Sequence, residues 1–164
     1  MCFLQHNQLK TRWEDLNQDH FSIGETGFGT GLNFLCAWQL WREAAPASAR
    51  LHFISTEKHP LHLADLQTAL ALWPSLQAMS DQLVEQYQYV STGWHRLIFD
   101  EGRVSLTLLI GNVNATLPHL KGKIDAWFLD GFSPAKNPEM WQSSLFEQIA
   151  KHSHAQTTFA TFTS

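Results

Sequence analysis

The chain has 164 residues, of which 44% are hydrophobic, 12% aromatic and 16% charged, and this length and composition predict one domain with a sizeable core. No apolar run approaches the ~20 residues of a membrane-spanning helix, and the N-terminus lacks the basic and apolar regions of a signal peptide. Eleven Lys and Arg against fifteen Asp and Glu give a net charge of −4, which is not typical of a nucleic-acid binder.

Residues 1–19 precede the first clear strand. Within them Phe3–Leu4 and Leu9–Trp13 flank a short polar stretch, a pattern that predicts an N-terminal hairpin or lead-in segment. A strand at His20–Glu25 then runs into a cluster of glycines. The residues behind this cluster, Leu32–Ala45, are apolar nearly all round, which predicts a buried helix that ends at a proline.

The middle of the chain has one predicted strand and two predicted helices. Leu51–Glu57 has the aliphatic and aromatic residues of a strand. A leucine stripe at helical spacing follows Pro60 and ends at Pro74, and a second apolar stripe begins at Leu76 and ends at Tyr87. Both stripes predict amphipathic helices.

The remaining predicted elements are four strands and one helix. They are strands at Trp94–Phe99, Arg103–Ile110, Ile124–Asp130 and Thr157–Thr163, and a helix that begins at Pro138 and buries Trp141, Leu145 and Ile149. The first two strands form a predicted hairpin, because only a short turn with a glycine separates them. The whole order is typical of a doubly wound α/β protein with a mostly parallel sheet, which binds ligands at the carboxyl ends of its strands.

A glycine-rich loop follows the first strand. It runs from Glu25 to Asn33, with Gly27, Gly29 and Gly31 at alternate positions. Glycines let the backbone approach a ligand closely, although a tight strand–helix turn is the structural alternative. The spacing differs from the dinucleotide fingerprint, and a P-loop is excluded because no Gly-Lys-Ser/Thr follows. An acid before the glycines would repel a pyrophosphate but suits a cationic or zwitterionic ligand such as S-adenosylmethionine.

Two further strands end in polar side chains. Glu57 ends the second strand, where a carboxylate can hold a ribose diol, although NAD enzymes use the same device. The alternative for Glu57 is a solvated charge beside Lys58. Asn112 follows the Arg103–Ile110 strand and is either an adenine contact through its amide or part of an asparagine-rich turn.

The loop after the Ile124–Asp130 strand carries the candidate catalytic residues. Asp130 closes an apolar strand and is therefore expected to project at the cofactor edge, and Phe132 offers a face for a flat base or a cation. The structural alternative is an Asp-Gly turn followed by a Ser-Pro lead into a helix. The length of the loop and its combination of a carboxylate with an aromatic ring favour function.

Other chemistries lack support in the sequence. His59 and His62, and likewise His152 and His154, have no Cys or carboxylate set at zinc-like spacing, so we expect no metal and interpret all nine histidines as surface or half-buried residues. The two cysteines make no disulfide framework, so we expect a reducing, cytoplasmic location. The sequence also has no Gly-x-Ser-x-Gly nucleophile elbow.

Several segments together resemble a known family. They are Glu25–Leu35, Leu51–Lys58, Ala126–Phe132 and Ala160–Ser164, and the stretch Asp130–Trp141 makes the resemblance narrow. The family is the methyltransferase component of the bacterial bifunctional enzyme that completes 5-methylaminomethyl-2-thiouridine at the tRNA wobble position. The resemblance runs from about residue 7 to residue 164 and implies a Rossmann-like, S-adenosylmethionine-dependent methyltransferase sheet.

The resemblance also implies roles for individual residues. In that family this domain methylates the 5-aminomethyl amine of uridine 34, after a separate FAD-dependent domain has removed a carboxymethyl group. The implied cofactor-binding set is Glu25, Gly27, Gly29, Gly31, Asn33, Glu57, Lys58 and Asn112. Glu25 and the glycines would hold the methionine moiety, and Glu57 the ribose hydroxyls. The family usually has an acid where this sequence has Asn112, so we expect a weakened contact with adenine N6.

For catalysis we expect Asp130 to orient the attacking amine and take its proton, and Phe132 to stack on the uracil ring. Bringing the neutral amine and the methyl group together would supply most of the rate. Two alternatives are a methyltransferase of another RNA or of a small molecule, and a non-catalytic module that binds the cofactor or the FAD-dependent partner.

The strand count predicts an incomplete domain. A complete methyltransferase of this class has seven strands, whereas we count five core strands in residues 1–164, the last at Thr157–Thr163. We therefore expect one truncated domain that lacks its C-terminal strands. Thr157–Thr163 would then be an unprotected edge strand through which chains can self-associate.

Overall fold

The computed structural model describes residues 2–130 and 142–161 of the chain. Within these ranges six strands form one sheet in the order β3-β4-β2-β1-β5-β6. The strands are β1 (His20–Thr26), β2 (Arg50–Glu57), β3 (Gly93–Phe99), β4 (Val104–Ile110), β5 (Ile124–Leu129) and β6 (Ser153–Thr161). All neighbouring strands are parallel except β3 and β4, which form the predicted antiparallel hairpin. The predicted doubly wound, mostly parallel sheet is therefore confirmed.

Seven helices accompany these strands in the described ranges. They are α1 (Cys2–His6), α2 (Leu9–Glu14), α3 (Leu32–Ala44), α4 (Leu63–Leu70), α5 (Gln77–Tyr87), α6 (Val113–Thr116) and α7 (Ser143–Lys151). The predicted helices at α3, α4 and α5 are confirmed. Pro138 and Trp141 lie outside the described residues, whereas Leu145 and Ile149 are buried on α7 as predicted. None of the described helices is long and apolar enough to cross a membrane.

Two apolar clusters cover the two faces of the sheet. The larger cluster joins α3 to β1, β2 and β4, and Phe34 of α3 lies 5.3 Å from Phe53 of β2 between ring centroids. The smaller cluster joins α7 to β5 through Trp127 and Leu129. Strand β5 is therefore buried on both faces, as is usual for parallel sheets. On the α7 face of β2, by contrast, His52 is only half-buried.

The predicted N-terminal hairpin is wrong, because α1 and α2 are helices. Leu9 and Trp13 lie four residues apart, so a helix places both on one face, and both are fully buried. The Trp13 ring packs edge-on against Phe21 and Trp41, with centroid distances of 5.6 and 5.0 Å. The driving force for helix formation is this tertiary burial, which a scan of local alternation does not detect.

The two N-terminal helices also bind the last described strand. Arg12 donates from Nη1 to Thr158 Oγ1 at 2.7 Å and from Nη2 to the backbone oxygen of Asp125 at 3.1 Å. The fully buried Asn7 donates to the backbone oxygen of Phe3 at 3.0 Å and accepts a hydrogen bond from Thr158 Oγ1. Asn7 is therefore a polar residue of the core, and the half-buried Arg12 lies at its edge.

Among the described strands, β6 is the last in the sheet order and pairs with β5. It begins at Ser153, earlier than the predicted Thr157, and its pairing with β5 is irregular between Ile124 and Ala126. Residues 162 and 163 lie outside the described residues. Self-association through this edge stays a prediction.

One expectation about the histidines is wrong. His152 is buried, at 4% exposure, where the end of α7 turns into β6, and its Nδ1 lies 3.4 Å from the Gly122 oxygen. The residue is buried because its backbone closes the turn, with its N–H bonded to Gln148 and its oxygen to the N–H of Ile124.

Candidate active site

The sheet brings three acidic strand ends together. Strand β1 lies between β2 and β5, so the chain moves to one side of β1 first and to its other side later. Such a reversal of strand order opens a crevice at the carboxyl ends of the strands. Glu25 pairs in register with Ser55 on one side and Phe128 on the other, and Glu57 and Asp130 follow at the same edge.

The glycine loop has a backbone that favours glycine. The φ angles are 92° at Gly27, 55° at Gly29 and 75° at Gly31, all in the left-handed region. A Cβ at Gly31 would lie 2.7 Å from the Phe28 ring, whereas one at Gly29 would meet nothing within 4 Å. The backbone N–H groups of Gly27 and Phe28 donate to the Thr56 oxygen. The loop is thus fastened to β2 at one end and open at Gly29.

Glu25 lies beneath this loop and is only 1% exposed. Its Oε1 accepts from Ser55 Oγ at 2.7 Å and its Oε2 accepts from Asn33 Nδ2 at 2.9 Å. Burial raises the pKa of Glu25 to about 8; the two hydrogen bonds lower this pKa, and the charges of Asp130 and Glu57 raise it. A positive charge bound nearby would favour the ionised form.

Asn33 connects Glu25 to Asp130. Its amide nitrogen donates to Glu25 Oε2 at 2.9 Å and to Asp130 Oδ2 at 3.2 Å. A side-chain amide has two N–H groups, so one asparagine can serve two carboxylates. The backbone oxygen of Asp130 also accepts from Thr26 Oγ1 at 3.2 Å. Asp130 is therefore held at both its side chain and its backbone.

Glu57 binds the backbone of the glycine loop at Gly29. Its Oε2 accepts from the Gly29 N–H at 2.9 Å and its Oε1 from the His59 N–H at 3.0 Å. Each carboxylate oxygen has a further lone pair for a ligand hydroxyl. Lys58 is exposed beside it.

Asn112 lies next to Glu57, because the Gly111 N–H donates to the Glu57 backbone oxygen at 2.9 Å. It caps α6, and its Oδ1 accepts from the Asn114 N–H at 2.9 Å. Phe132 lies outside the described residues. The structure thus joins Glu25, Asn33 and Asp130 by hydrogen bonds and Glu57 to the glycine loop, whereas Lys58 and Asn112 lie at this edge by the position of their backbone.

Two polar residues of the site were missed by the sequence analysis. Ser55 and Thr56 are fully or nearly fully buried near the end of β2, and they bind Glu25 and the glycine loop respectively. The available signal was a pair of adjacent hydroxyl residues near the end of the strand, directly before Glu57.

The fold and this site define a class: a doubly wound α/β protein with a glycine-rich loop and acidic residues at the crevice between β1 and β5. A family model described as S-adenosyl-L-methionine-dependent methyltransferase matches residues 74–164, more than half of the chain, and the chain belongs to that family.

Relatives with curated names match almost the whole chain. The tRNA 5-methylaminomethyl-2-thiouridine biosynthesis bifunctional protein MnmC of Methylobacillus flagellatus is 61% identical over 162 residues, which are 99% of this chain and 25% of that protein. The protein of the same name from Chromobacterium violaceum is 58% identical over 163 residues, with the same coverage. The chain thus spans about a quarter of the length of these relatives.

A solved structure supports the fold. The crystal structure of MnmC2 from Aquifex aeolicus superposes with a TM-score of 0.76 over 99% of this chain and 48% of that chain, at 23% identity.

The family's cofactor is S-adenosylmethionine, and the residues present fit it. The loop leaves open space beside Gly29, where backbone can approach a ligand. Burial is the main cause of the raised pKa of Glu25, and the charges of Asp130 and Glu57 add to it, so the sulfonium and ammonium groups of a bound cofactor would act in the opposite direction. In the described ranges, no group of three His, Cys, Asp or Glu side chains could hold a metal ion.

Proposed function

We propose that the chain transfers a methyl group from S-adenosylmethionine to the 5-aminomethyl group of 2-thiouridine at tRNA wobble position 34. The observation that carries the proposal is the link from buried Glu25 through Asn33 to Asp130, beside the glycine loop. Identity of about 60% to proteins named for this modification, across 99% of the chain, supports the substrate.

The glycine loop and Glu57 hold the cofactor in this proposal. The backbone around Gly29 approaches it closely, and Glu57 accepts hydrogen bonds from the ribose hydroxyls with its remaining lone pairs. Glu25 is almost fully buried beneath the loop and makes no direct contact with the cofactor, and the positive charge of the bound cofactor would favour the ionised form of Glu25. When bound, the cofactor supplies a methyl group made electrophilic by its sulfonium. Lys58 and Asn112 flank the ribose and adenine ends.

Asp130 acts on the attacking amine. An amine attacks only as the neutral base, so a carboxylate that accepts its proton favours the reactive form. Asn33 fixes Asp130 in place, and the charge of Asp130 is close enough to raise the pKa of Glu25. The main catalytic contribution is the alignment of amine and methyl group. Phe132 stacks on the uracil ring in this proposal.

The relatives' printed name describes a bifunctional protein, of which the chain spans about a quarter. We infer that an FAD-dependent activity that removes the carboxymethyl group resides in the remainder of such a protein. Both steps act on tRNA, so the expected location is the cytoplasm.

The test measures methyl transfer from labelled S-adenosylmethionine to tRNA that carries the unmethylated 5-aminomethyl-2-thiouridine, by the natural protein that contains the chain. Asp130→Ala should lower the rate at least about 100-fold. Asp65→Ala, which removes an exposed carboxylate on α4, is the matched control and should leave the rate unchanged.

Full activity of Asp130→Ala would contradict the role of Asp130. Methylation of small amines, or of tRNA without the hypomodified base, would favour the other methyltransferase alternatives. Calorimetric binding of S-adenosylmethionine without any turnover would favour a non-catalytic module.

A further inference from the structure

A second polar region lies on the α7 face of the sheet. A groove of about 560 Å³ crosses β1, β2, β4 and β3 and reaches the loop before β5. Its lining contains four histidines, one arginine and two lysines, and none of the described lining residues is acidic. On a chain with net charge −4, Arg96, Lys121 and Lys123 make this groove a local concentration of positive charge.

The groove is distinct from the candidate active site. His20 lies at the start of β1 and Glu25 near its end, so the two are about 15–17 Å apart along the strand. The strand positions that line the groove alternate with those that face α3, since Leu51 and Phe53 are core residues whereas His52 between them faces the groove. Parallel sheets are normally covered on both faces, but here His52 and Thr107 are only half-buried.

Two of the histidine rings in the groove lie near each other. The rings of His20 and His52 are 6.2 Å apart between centroids. Burial lowers the pKa of His52, and the charges of Arg96, His20 and Arg50 lower it further. His20 has an acidic partner in Asp19, at 2.7 Å, but that carboxylate lies outside the lining. A bound anion would relieve the repulsion that these groups exert on His52.

Two cations of the groove have no internal anion. Neither the Arg96 nor the Lys121 side chain forms a hydrogen bond or an ion pair within residues 2–130 and 142–161, and both are exposed. Arg96 shares its strand with Trp94, whose side chain is 48% exposed and lines the same groove. A cationic groove with an exposed aromatic ring is the combination that binds single-stranded nucleic acid, through phosphates and base stacking.

We propose that this groove binds the phosphate backbone of RNA, with Arg96 and Lys121 contacting phosphates and Trp94 stacking on an unpaired base. The proposal rests on the proposed function only in taking tRNA as the RNA. Because the groove and the active site lie on different parts of the sheet, one tRNA would contact the chain at two places.

The test measures binding of an unmodified tRNA transcript to the natural protein that contains the chain, by fluorescence anisotropy at several salt concentrations. Arg96→Glu should raise the Kd at least about 5-fold and reduce the slope of log Kd against log salt by about 1. Trp94→Ala should raise the Kd about 5-fold or more with little change in that slope. Lys10→Glu reverses an exposed charge outside the groove and should change the Kd less than about 2-fold.

An equal effect of Arg96→Glu and Lys10→Glu would overturn the proposal, since only net charge would then matter. An unchanged Kd together with a lowered Tm in Arg96→Glu would also overturn it, because the groove would then hold an acidic protein segment. Methyl transfer by the unsubstituted protein is measured in parallel. Its absence would contradict the proposed function, whereas the comparison of Kd values would still decide whether the groove binds RNA.

Discussion

The acidic strand ends and the cationic groove are two polar regions of one sheet. They have opposite charge, and they differ in whether their charged side chains make hydrogen bonds within the protein. In the acidic region the hydrogen bonds to Glu25, Glu57 and Asp130 come from neighbouring side chains and backbone N–H groups. In the groove, Arg96 and Lys121 make no such bond within the described ranges. Hydrogen bonds therefore hold the acidic side chains in place before a ligand binds, whereas the two cationic side chains can pair with the charge of a bound anion. The net charge of −4 is a sum over the whole chain, so it does not reveal that the two regions differ in charge.

The largest expected effect concerns Glu25 and its pH dependence. Its pKa is raised to about 8 in the fold from an ordinary 4.5, so the folded chain binds a proton that the unfolded chain releases. This contribution to stability is fully present below about pH 4.5 and is lost as the pH rises through about 8. Across that window the free energy of unfolding should fall by on the order of 3–5 kcal/mol.

Glu25→Gln should remove that part of the pH dependence, because a glutamine keeps the partners Ser55 and Asn33 without ionising. Urea unfolding of both chains at pH 5, 6.5 and 8 provides the check. Glu43→Gln, which replaces an exposed carboxylate on α3, should reproduce the unsubstituted profile. Parallel profiles for Glu25→Gln and the unsubstituted chain would show that Glu25 does not titrate in this window.

The second prediction tests the hydrogen-bond bridge that Asn33 forms in the acidic region. Asn33→Asp replaces an amide donor by a carboxylate that faces Glu25 and Asp130, at positions now 2.9 and 3.2 Å from the amide nitrogen. Methyl transfer to tRNA should fall about 100-fold, because like charges at this distance repel and the bridge is lost. Asn33→Ala removes the bridge without adding charge and should cost about 10-fold. If the two variants lose the same activity, charge at this position is not what matters.

The smallest expected effect concerns His52 in the groove. It changes stability with pH in the direction opposite to that of Glu25. The pKa of His52 is lowered by burial and by neighbouring cations, so the unfolded chain binds the proton more readily than the folded chain. The contribution of His52 to stability should therefore fall as the pH drops below about 6.5, by less than about 1 kcal/mol because the ring is half exposed, and it opposes the larger rise that Glu25 causes over the same range.

His52→Gln should remove this opposing contribution, so that stability rises more steeply as the pH drops from 7 to 5.5, and should leave the profile above pH 7 unchanged. Unfolding measured between pH 5.5 and 7 tests it, with the exposed His62→Gln as the control. A larger loss of stability toward acid in His52→Gln would contradict the mutual repulsion described for the groove.

Local patterns predicted most of the fold, because most of its elements bury apolar residues at regular spacing. The stripe of α5 and the short turn between β3 and β4 are examples in which neighbours in sequence decide the structure. The N-terminal helices were not predicted, since their stability comes from the tertiary burial of Leu9 and Trp13. The hydrogen bonds of Asn7 and Arg12 with Thr158, 151 and 146 residues away, add to it.

The candidate site was predictable where one residue type sufficed. Glycines at alternate positions and carboxylates at strand ends identified Glu25, Glu57 and Asp130. The bridge through Asn33 was not predictable, because it depends on the register of β1 against β5. The groove was not predicted for the same reason, because its cations come from strands and a loop that are far apart in the sequence. Each of its histidines, taken alone, has the pattern of an ordinary surface residue.

The hydrogen bond between Arg12 and Thr158 joins two residues that are synthesised at very different times. A ribosome that adds about 5–20 residues per second makes Thr158 about 7–30 s after Arg12. During that interval the helix that carries Leu9 and Trp13 has no final strand to dock against. Trp13 can already pack against Phe21 and Trp41 during this interval, so the hydrogen bonds of Asn7 and Arg12 to Thr158 are the later of the native contacts of this segment.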